Sequence, residues 1–384
     1  MTRYLVVTWD GAGNLLPTLG ITRALVAAGH DVRLLGHDTI RERCGDAGAR
    51  FVVLPQPQGW DEMENPDDTE AEIELLLDTL CLSTPIAVAV AGELEREAAD
   101  VVLVDCMLFS AINVAQAAGL PTAALFHTPY TVFRGGPLVE MFAPGLGRLN
   151  VHRVGLGLAP VTSYPELHDS CEVVLAAVPG EFEPGAEDAA NVLRIGPVLD
   201  GPPLVQNPTH LDVGDGSAPL VLISLSTSEQ GQAPLLQRIV DAVGTLPVRA
   251  VVTTGPSLDP ATVRAAANTQ VVSYVPHGEL LPSCSAVLTH AGLGTVMAAL
   301  ADGVPMVCVP MGRDQFFNAE MVQVLGAGRM LMPDADTATI AEATLAVLND
   351  ASFGVAAKRM AGTIADCSGA AGAVAALEGL AVRR

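Results

Sequence analysis

Short apolar runs recur along the chain with helix-length stretches between them. In the first half they read "YLVVT", "DVRLL", "FVVL", "VVLVD" and "TAALF"; in the second, "LVLISLS", "RAVVTTG", "QVVSYV", "AVLTH" and "MVCVP". Each is short and rich in β-branched residues, so each predicts a strand. The runs are continuously apolar rather than alternating, which implies burial on both faces. Such strands, spaced by helices, predict parallel sheets in an α/β fold. The pattern breaks at "GPVLDGPPLVQNPTHLDVGDGSAP", Gly196 to Pro219, which holds five prolines and no helical period. It predicts a linker. The expected organisation is one domain over 1–196, a linker over 197–219, a second domain over 220–369 and an alanine-rich helix over 370–384. Ligands of parallel sheets sit beyond the carboxyl ends of the strands, so the crevice between the domains is where chemistry is expected.

Two of those strand ends carry glycine turns. The first, "TWDGAGNLLPTLG", runs from Thr8 to Gly20. Against the dinucleotide pattern G-x-G-x-x-G it lacks the third glycine, Leu16 standing there, so the turn reads as the wall of a site. Pro17 suits a first helical turn and Gly29 a helix end. The second, "AVLTHAGLGTVMAALADGVPMVCVP", ends a strand at Thr289 and passes through His290, Gly292 and Gly294. A helix is expected from Thr295 to about Gly303. Free N–H groups and the dipole at such a helix start favour a phosphate; the plainer alternative is an ordinary turn with Thr295 as cap. After the next strand, "PMGRDQFFNAEMVQVLGAG" places Asp314, Gln315 and Asn318 on a polar loop. Carboxylate and amide side by side suit sugar hydroxyls, and Asp314 alone would also serve as a helix cap.

Composition narrows the classes. At 384 residues, 50% hydrophobic and 16% charged, the chain can bury two cores. A formal charge of −23 argues against a nucleic-acid partner, which needs a basic surface. Asp61 to Glu74 carries eight acidic residues and no base. That stretch reads as a solvated loop and helix start, or as a rim that draws in a cationic acceptor with Trp60 as a stacking surface. Seven cysteines without a C-x-x-C pair indicate thiols in a reducing compartment. With no apolar run near the 18–20 residues of a membrane span, a cytoplasmic protein is expected. Asp334-Ala-Asp336 has metal-site spacing, but Thr339 and Glu342 fit a capping box there, so a helix start is expected instead of a metal.

Tyr274 to Gly328 resembles the donor-binding signature of GT-B, family 1 glycosyltransferases, in particular bacterial enzymes that decorate macrolides and other natural products. The likeness is looser but in order at the opening turn, at "VVLVDCMLFSAINVAQAAGLPTAALFHTP" and at "LVLISLSTSEQGQ", and so spans the chain. It implies two Rossmann-like domains facing across a cleft, acceptor in the first and donor in the second, with the last helix crossing back to the first. It places Val275 at the nucleobase. His290, Gly292, Gly294 and Thr295 fall at the diphosphate with Ser226 and Thr227, and Asp314 and Gln315 at the sugar. It implies sugar transfer from a nucleoside diphosphate to a small lipophilic acceptor, with inversion and with neither metal nor cofactor; a homodimer stays open.

Two departures matter. The family commonly has Glu eight residues after the phosphate histidine, gripping the ribose hydroxyls, and here Ala298 stands there. Discrimination against deoxyribose should weaken, so a thymidine diphosphate donor is expected to be tolerated at least as well as a uridine one. In the family's G-x-G-H-x-x-P turn a histidine is the general base, and here it is Asn14, which cannot take a proton. The alternatives are Asp105, Asp10 or His127 as base, an acceptor that needs only positioning, or an inactive relative. Asp105 is the favoured base, because its place at a strand end does not depend on Asn14. A non-catalytic sugar-nucleotide binder or partner subunit is the competing reading, and an epimerase would need carboxylates that the sequence does not place.

Overall fold

The computed structural model describes residues 1–11, 13–56, 69–135, 137–185, 189–199, 218–227 and 230–382. Most of the expected linker, Trp60 and most of the acidic rim lie outside these. The chain divides into two compact units: the described residues up to 199 together with 367–382, and residues 218–366.

In the first unit seven parallel strands form one sheet: β1 Arg3–Val7, β2 Asp31–Gly36, β3 Arg50–Val53, β4 Val101–Asp105, β5 Thr122–Phe126, β6 Val173–Ala176 and β7 Val192–Arg194. Their order is β3-β2-β1-β4-β5-β6-β7. Successive side chains alternate between faces, as the pleat requires. Leu5 and Val7 pack with Ile86, Val90, Phe109 and Ile112 from the helices Thr84–Arg96 and Phe109–Ala117. Tyr4 and Val6 pack on the other side with Leu19 and Leu25 of the helix Leu15–Ala27. The helix Gly369–Val382 joins that second layer through Ala373, Leu377 and Leu380. The return to the first unit thus starts at Cys367, slightly before the expected residue 370.

The second unit holds β8 Leu220–Ser224, β9 Arg249–Thr253, β10 Thr269–Val272, β11 Ala286–Thr289, β12 Met306–Cys308 and β13 Gly328–Met330, ordered β10-β9-β8-β11-β12-β13 and all parallel. Gly328 is there because a Cβ would strike the Met306 carbonyl oxygen of the neighbouring strand. In each sheet the winding reverses once, between β1 and β4 and between β8 and β11. Doubly wound sheets bind ligands at this switch point.

One buried ion pair ties the first unit together. Arg33 on β2 is 1% exposed and donates to Glu93 Oε1 at 2.5 Å and to the carbonyls of Glu97 and Ala98.

Two sequence expectations need amendment. Helical stretches Ile73–Arg96 and Ala351–Val382 do reach membrane-spanning length, with mean hydropathy 1.8 and 1.3. Neither is one rod: the first breaks at Leu82–Ser83 and the second at Asp366–Ser368, and they lend Leu77, Leu80, Val90 and Leu377 to the cores. At 334–336 the cap is Asp336 rather than Thr339. Its carboxylate accepts from Thr339 N at 2.8 Å, ahead of the helix Thr337–Asn349. Cys44, Cys81, Cys106, Cys171, Cys284 and Cys308 are free thiols.

Candidate active site

At the switch point of the second unit, β11 ends and the chain turns through His290 and Ala291 into the helix Leu293–Ala301, with Gly292 as N-cap. The helix therefore opens two residues before Thr295, which sits in its first turn. Its first N–H groups have no partner within a helix. Ala291 has φ +65°, a left-handed conformation that a non-glycine residue holds at a cost of about 1–3 kcal/mol. Asn318 secures it: buried, from the helix Gln315–Val324, it donates from Nδ2 to Ala291 O at 3.0 Å and to Asp314 Oδ2 at 3.1 Å.

His290 is 8% exposed, and its Nδ1 is buried without a hydrogen-bond partner. Burial, with the nearby Arg313 guanidinium adding, pushes its pKa down to about 4, so the ring is neutral near pH 7. Its imidazole lies against Gly292, where a Cβ would come 2.6 Å from Nε2; at Gly294 a Cβ would meet nothing. The two glycines thus differ: one makes room for the histidine, the other leaves the helix start open. Gly294, Thr295 and Ala298 share the less buried stripe of this helix, while Leu293, Val296, Met297, Ala299 and Leu300 face the core.

Around this turn the polar residues are linked. Gln230 donates to Ser226 Oγ at 2.8 Å and accepts from Gln315 Nε2 at 2.9 Å. Gln315, 2% exposed, also accepts from Met311 N and Gly312 N. Its amide is occupied in shaping the loop, so of the expected sugar-contacting pair only the half-buried Asp314 keeps some surface. Val275 is 4% exposed, leaving its backbone as what it can offer a base. Thr227 is half-buried beside Gly255, whose φ of +71° and close approach to the Ser226–Thr227 backbone require glycine.

The first unit's switch point gathers a second group. Gly11 is glycine because a Cβ would lie 2.8 Å from both the Trp9 indole and Asn14 Oδ1. Asn14 is fully buried and donates from Nδ2 to Thr8 Oγ1 at 3.0 Å and to Trp9 O at 3.1 Å. It pins the turn and has no exposed atom to orient a substrate. The Asp10 N–H bonds His37 Nδ1, and its charge acts on His37 and on Cys44 of the helix Arg41–Asp46.

Asp105 ends β4 with its side chain wholly buried. Oδ1 accepts from Trp9 Nε1 at 3.1 Å and Met107 N at 3.0 Å, and Oδ2 lies 3.0 Å from His127 Nδ1. The Asp105 side chain thus has no surface of its own, which argues against it as the base expected from the sequence, whereas the His127 side chain keeps 14% exposure. Cys106 Sγ is 3.8 Å from the same Nδ1. Asp105, Cys106 and His127 thus form a three-atom set within 4.8 Å that has the donors of a transition-metal site. Burial pushes the Cys106 thiol up, so it would have to lose a proton to bind one. What the sequence did not reveal is the indole donor, Trp9, and the amide chain Ser226–Gln230–Gln315.

Residues 237–378 match the family model described as Erythromycin biosynthesis protein CIII-like, C-terminal domain. Among curated relatives, the 4'-demethylrebeccamycin synthase of Lentzea aerocolonigenes is 27% identical over 98% of this chain and 99% of its own. The oleandomycin glycosyltransferase of Streptomyces antibioticus is 27% identical over 88% and 81%. Among solved structures, the glycosyltransferase VinC in complex with dTDP superposes with a TM-score of 0.77, at 20% identity over the full length of both chains. Two parallel switch-point sheets with a phosphate-type turn in the second are the GT-B plan, and the chain is a glycosyltransferase. Along its length it is similar to bacterial enzymes of natural-product glycosylation.

Proposed function

We propose that the protein moves a deoxysugar from thymidine diphosphate to a small lipophilic acceptor, in one displacement that inverts the anomeric carbon and uses no metal. The observation that carries this is the turn at His290: an imidazole whose Nε2 lies against Gly292, beside the open start of a helix. A diphosphate satisfies both, since its oxygens accept from the ring N–H and from the first N–H groups of the helix. Those fixed donors offset the charge that grows on the departing nucleotide, which is what a metal supplies elsewhere.

Ala298 supports the thymidine nucleotide. It lies on the same stripe as Gly294 and Thr295 and brings no carboxylate for a 2′-hydroxyl. The dTDP bound by VinC and the natural products in the relatives' names agree with this donor and with the acceptor class. The unpaired thiols fit a reducing compartment.

Thermal shift and calorimetry with nucleoside diphosphates test the donor. At a hundred times its dissociation constant dTDP is expected to stabilise the fold by about 2.7 kcal/mol, with UDP no tighter. Ala298→Glu restores one charged hydrogen bond to a ribose, worth about 1.5 kcal/mol, and should move preference toward UDP by roughly tenfold. A wild-type protein that prefers UDP strongly, or ignores both, removes the donor reading.

A further inference from the structure

We propose that His127 is the general base of the transfer and Asp105 its positioning residue, a dyad built on adjacent strands β4 and β5 in place of the histidine absent at Asn14. The proposal rests on the sugar-transfer reading and adds the residue that starts it. Asp105 and Leu125 are partners in the β4–β5 register, which brings the residue after β5, His127, beside the carboxylate. Trp9 Nε1 and Met107 N occupy Asp105 Oδ1, leaving Oδ2 to face His127 Nδ1. A carboxylate there holds the Nδ1–H tautomer and leaves the Nε2 lone pair as the base, the arrangement known from other Asp–His pairs. On the Nε2 side of the ring, Cδ2 lies 3.8 Å from where Gly13 would carry a Cβ, and Gly13 is exposed. The turn that lost its histidine thus stands over the ring that replaces it.

The step balances. Nε2 takes the acceptor's hydroxyl proton, the oxygen bonds to the anomeric carbon, and the bond from that carbon to the diphosphate breaks with its electron pair going to the phosphate oxygen. The imidazolium then returns its proton to water.

The groups facing His127 are Asp105 and Cys106. His168, packed on the far side of Cys106 with Nε2 on the Cys106 carbonyl, is pushed down to about 4 by burial and is neutral. Burial works to lower His127, but Asp105 and Cys106 together outweigh it and hold the ring well above the usual histidine range. The free base therefore grows in as pH rises, so kcat/KM climbs on the alkaline side.

The test uses nitrogen-15 histidine labelling and dTDP-glucose, with water as the acceptor probe. The ring signal missing in His127→Gln should titrate above an ordinary histidine as the Nδ1–H tautomer, and fall by at least one pH unit in Asp105→Asn. Release of dTDP should drop roughly 10²–10⁴-fold in His127→Gln, the usual worth of positioned proton transfer, while dTDP affinity stays within twofold. In Asp105→Asn the alkaline rise should move to lower pH. A His127 that titrates normally, or hydrolysis by His127→Gln at the wild-type rate, overturns the dyad. Loss of rate on EDTA treatment overturns it too, because it would mean the same three residues hold a metal. If wild type binds dTDP but never releases it from dTDP-glucose, the donor-sugar reading fails, and the ring titration still decides the dyad.

Discussion

Gly292→Ala is expected to weaken dTDP binding by roughly ten- to hundredfold, corresponding to loss of one charge-assisted hydrogen bond of about 1.5–3 kcal/mol. The backbone is not the obstacle, since Gly292 has φ −59° and ψ 134°, which any residue adopts. The new methyl would sit 2.6 Å from His290 Nε2 and 2.8 Å from Cε1, so the imidazole must swing away. That removes the ring nitrogen from the place where a phosphate oxygen would meet it. Gly294→Ala is the control. With open space around it, the methyl should leave the free protein's melting temperature unchanged or slightly raised, because alanine is the better helix former. If the phosphate sits on that face, dTDP binding falls in this variant as well. Calorimetric titration reads both, and a Gly292→Ala protein that binds dTDP within twofold of wild type would remove His290 from the donor site.

Glu93→Gln is expected to destabilise the first unit by about 3 kcal/mol, lowering its unfolding midpoint by about 10 °C. The substitution removes the carboxylate 2.5 Å from an Arg33 that is 1% exposed, leaving it backbone carbonyls and the Glu97 carboxylate at 3.9 Å. Removing both charges, as Arg33→Met with Glu93→Leu, should cost less than removing one, because no uncompensated ion remains. Urea unfolding of the three variants, followed by near-ultraviolet circular dichroism, gives the comparison. A double variant less stable than Glu93→Gln would mean that the pair contributes more than its desolvation costs.

The strands were legible because a strand buried on both faces leaves an uninterrupted apolar run, as in "VVLVD" and "LVLISLS". So was the glycine turn at His290 that leads from strand to helix, although the helix opens two residues earlier than expected. The first unit's chemistry was legible only as a set of candidates. Asp105 and His127 stand far apart in sequence, and only the β4–β5 register places them 3.0 Å apart. Nothing in the order of residues says that Trp9 and Met107 would occupy one carboxylate oxygen and seal Asp105 from solvent. Gln315 was legible only as a polar side chain at a loop, and nothing in the sequence shows that its amide oxygen accepts from Met311 N and Gly312 N. Likewise Asp336 and Thr339 have equivalent capping spacing, and the observed helix start chooses the carboxylate.

The helix Gly369–Val382 closes over Leu19 and Leu25 with Leu377 and Leu380, more than three hundred residues later in the chain. During synthesis the layer around Leu19 and Leu25 must therefore wait, half-roofed, until residues 369–382 have left the ribosome. A product halted before residue 369 would carry that apolar groove uncovered into the cell, where it becomes a target for chaperones or a seed for aggregation.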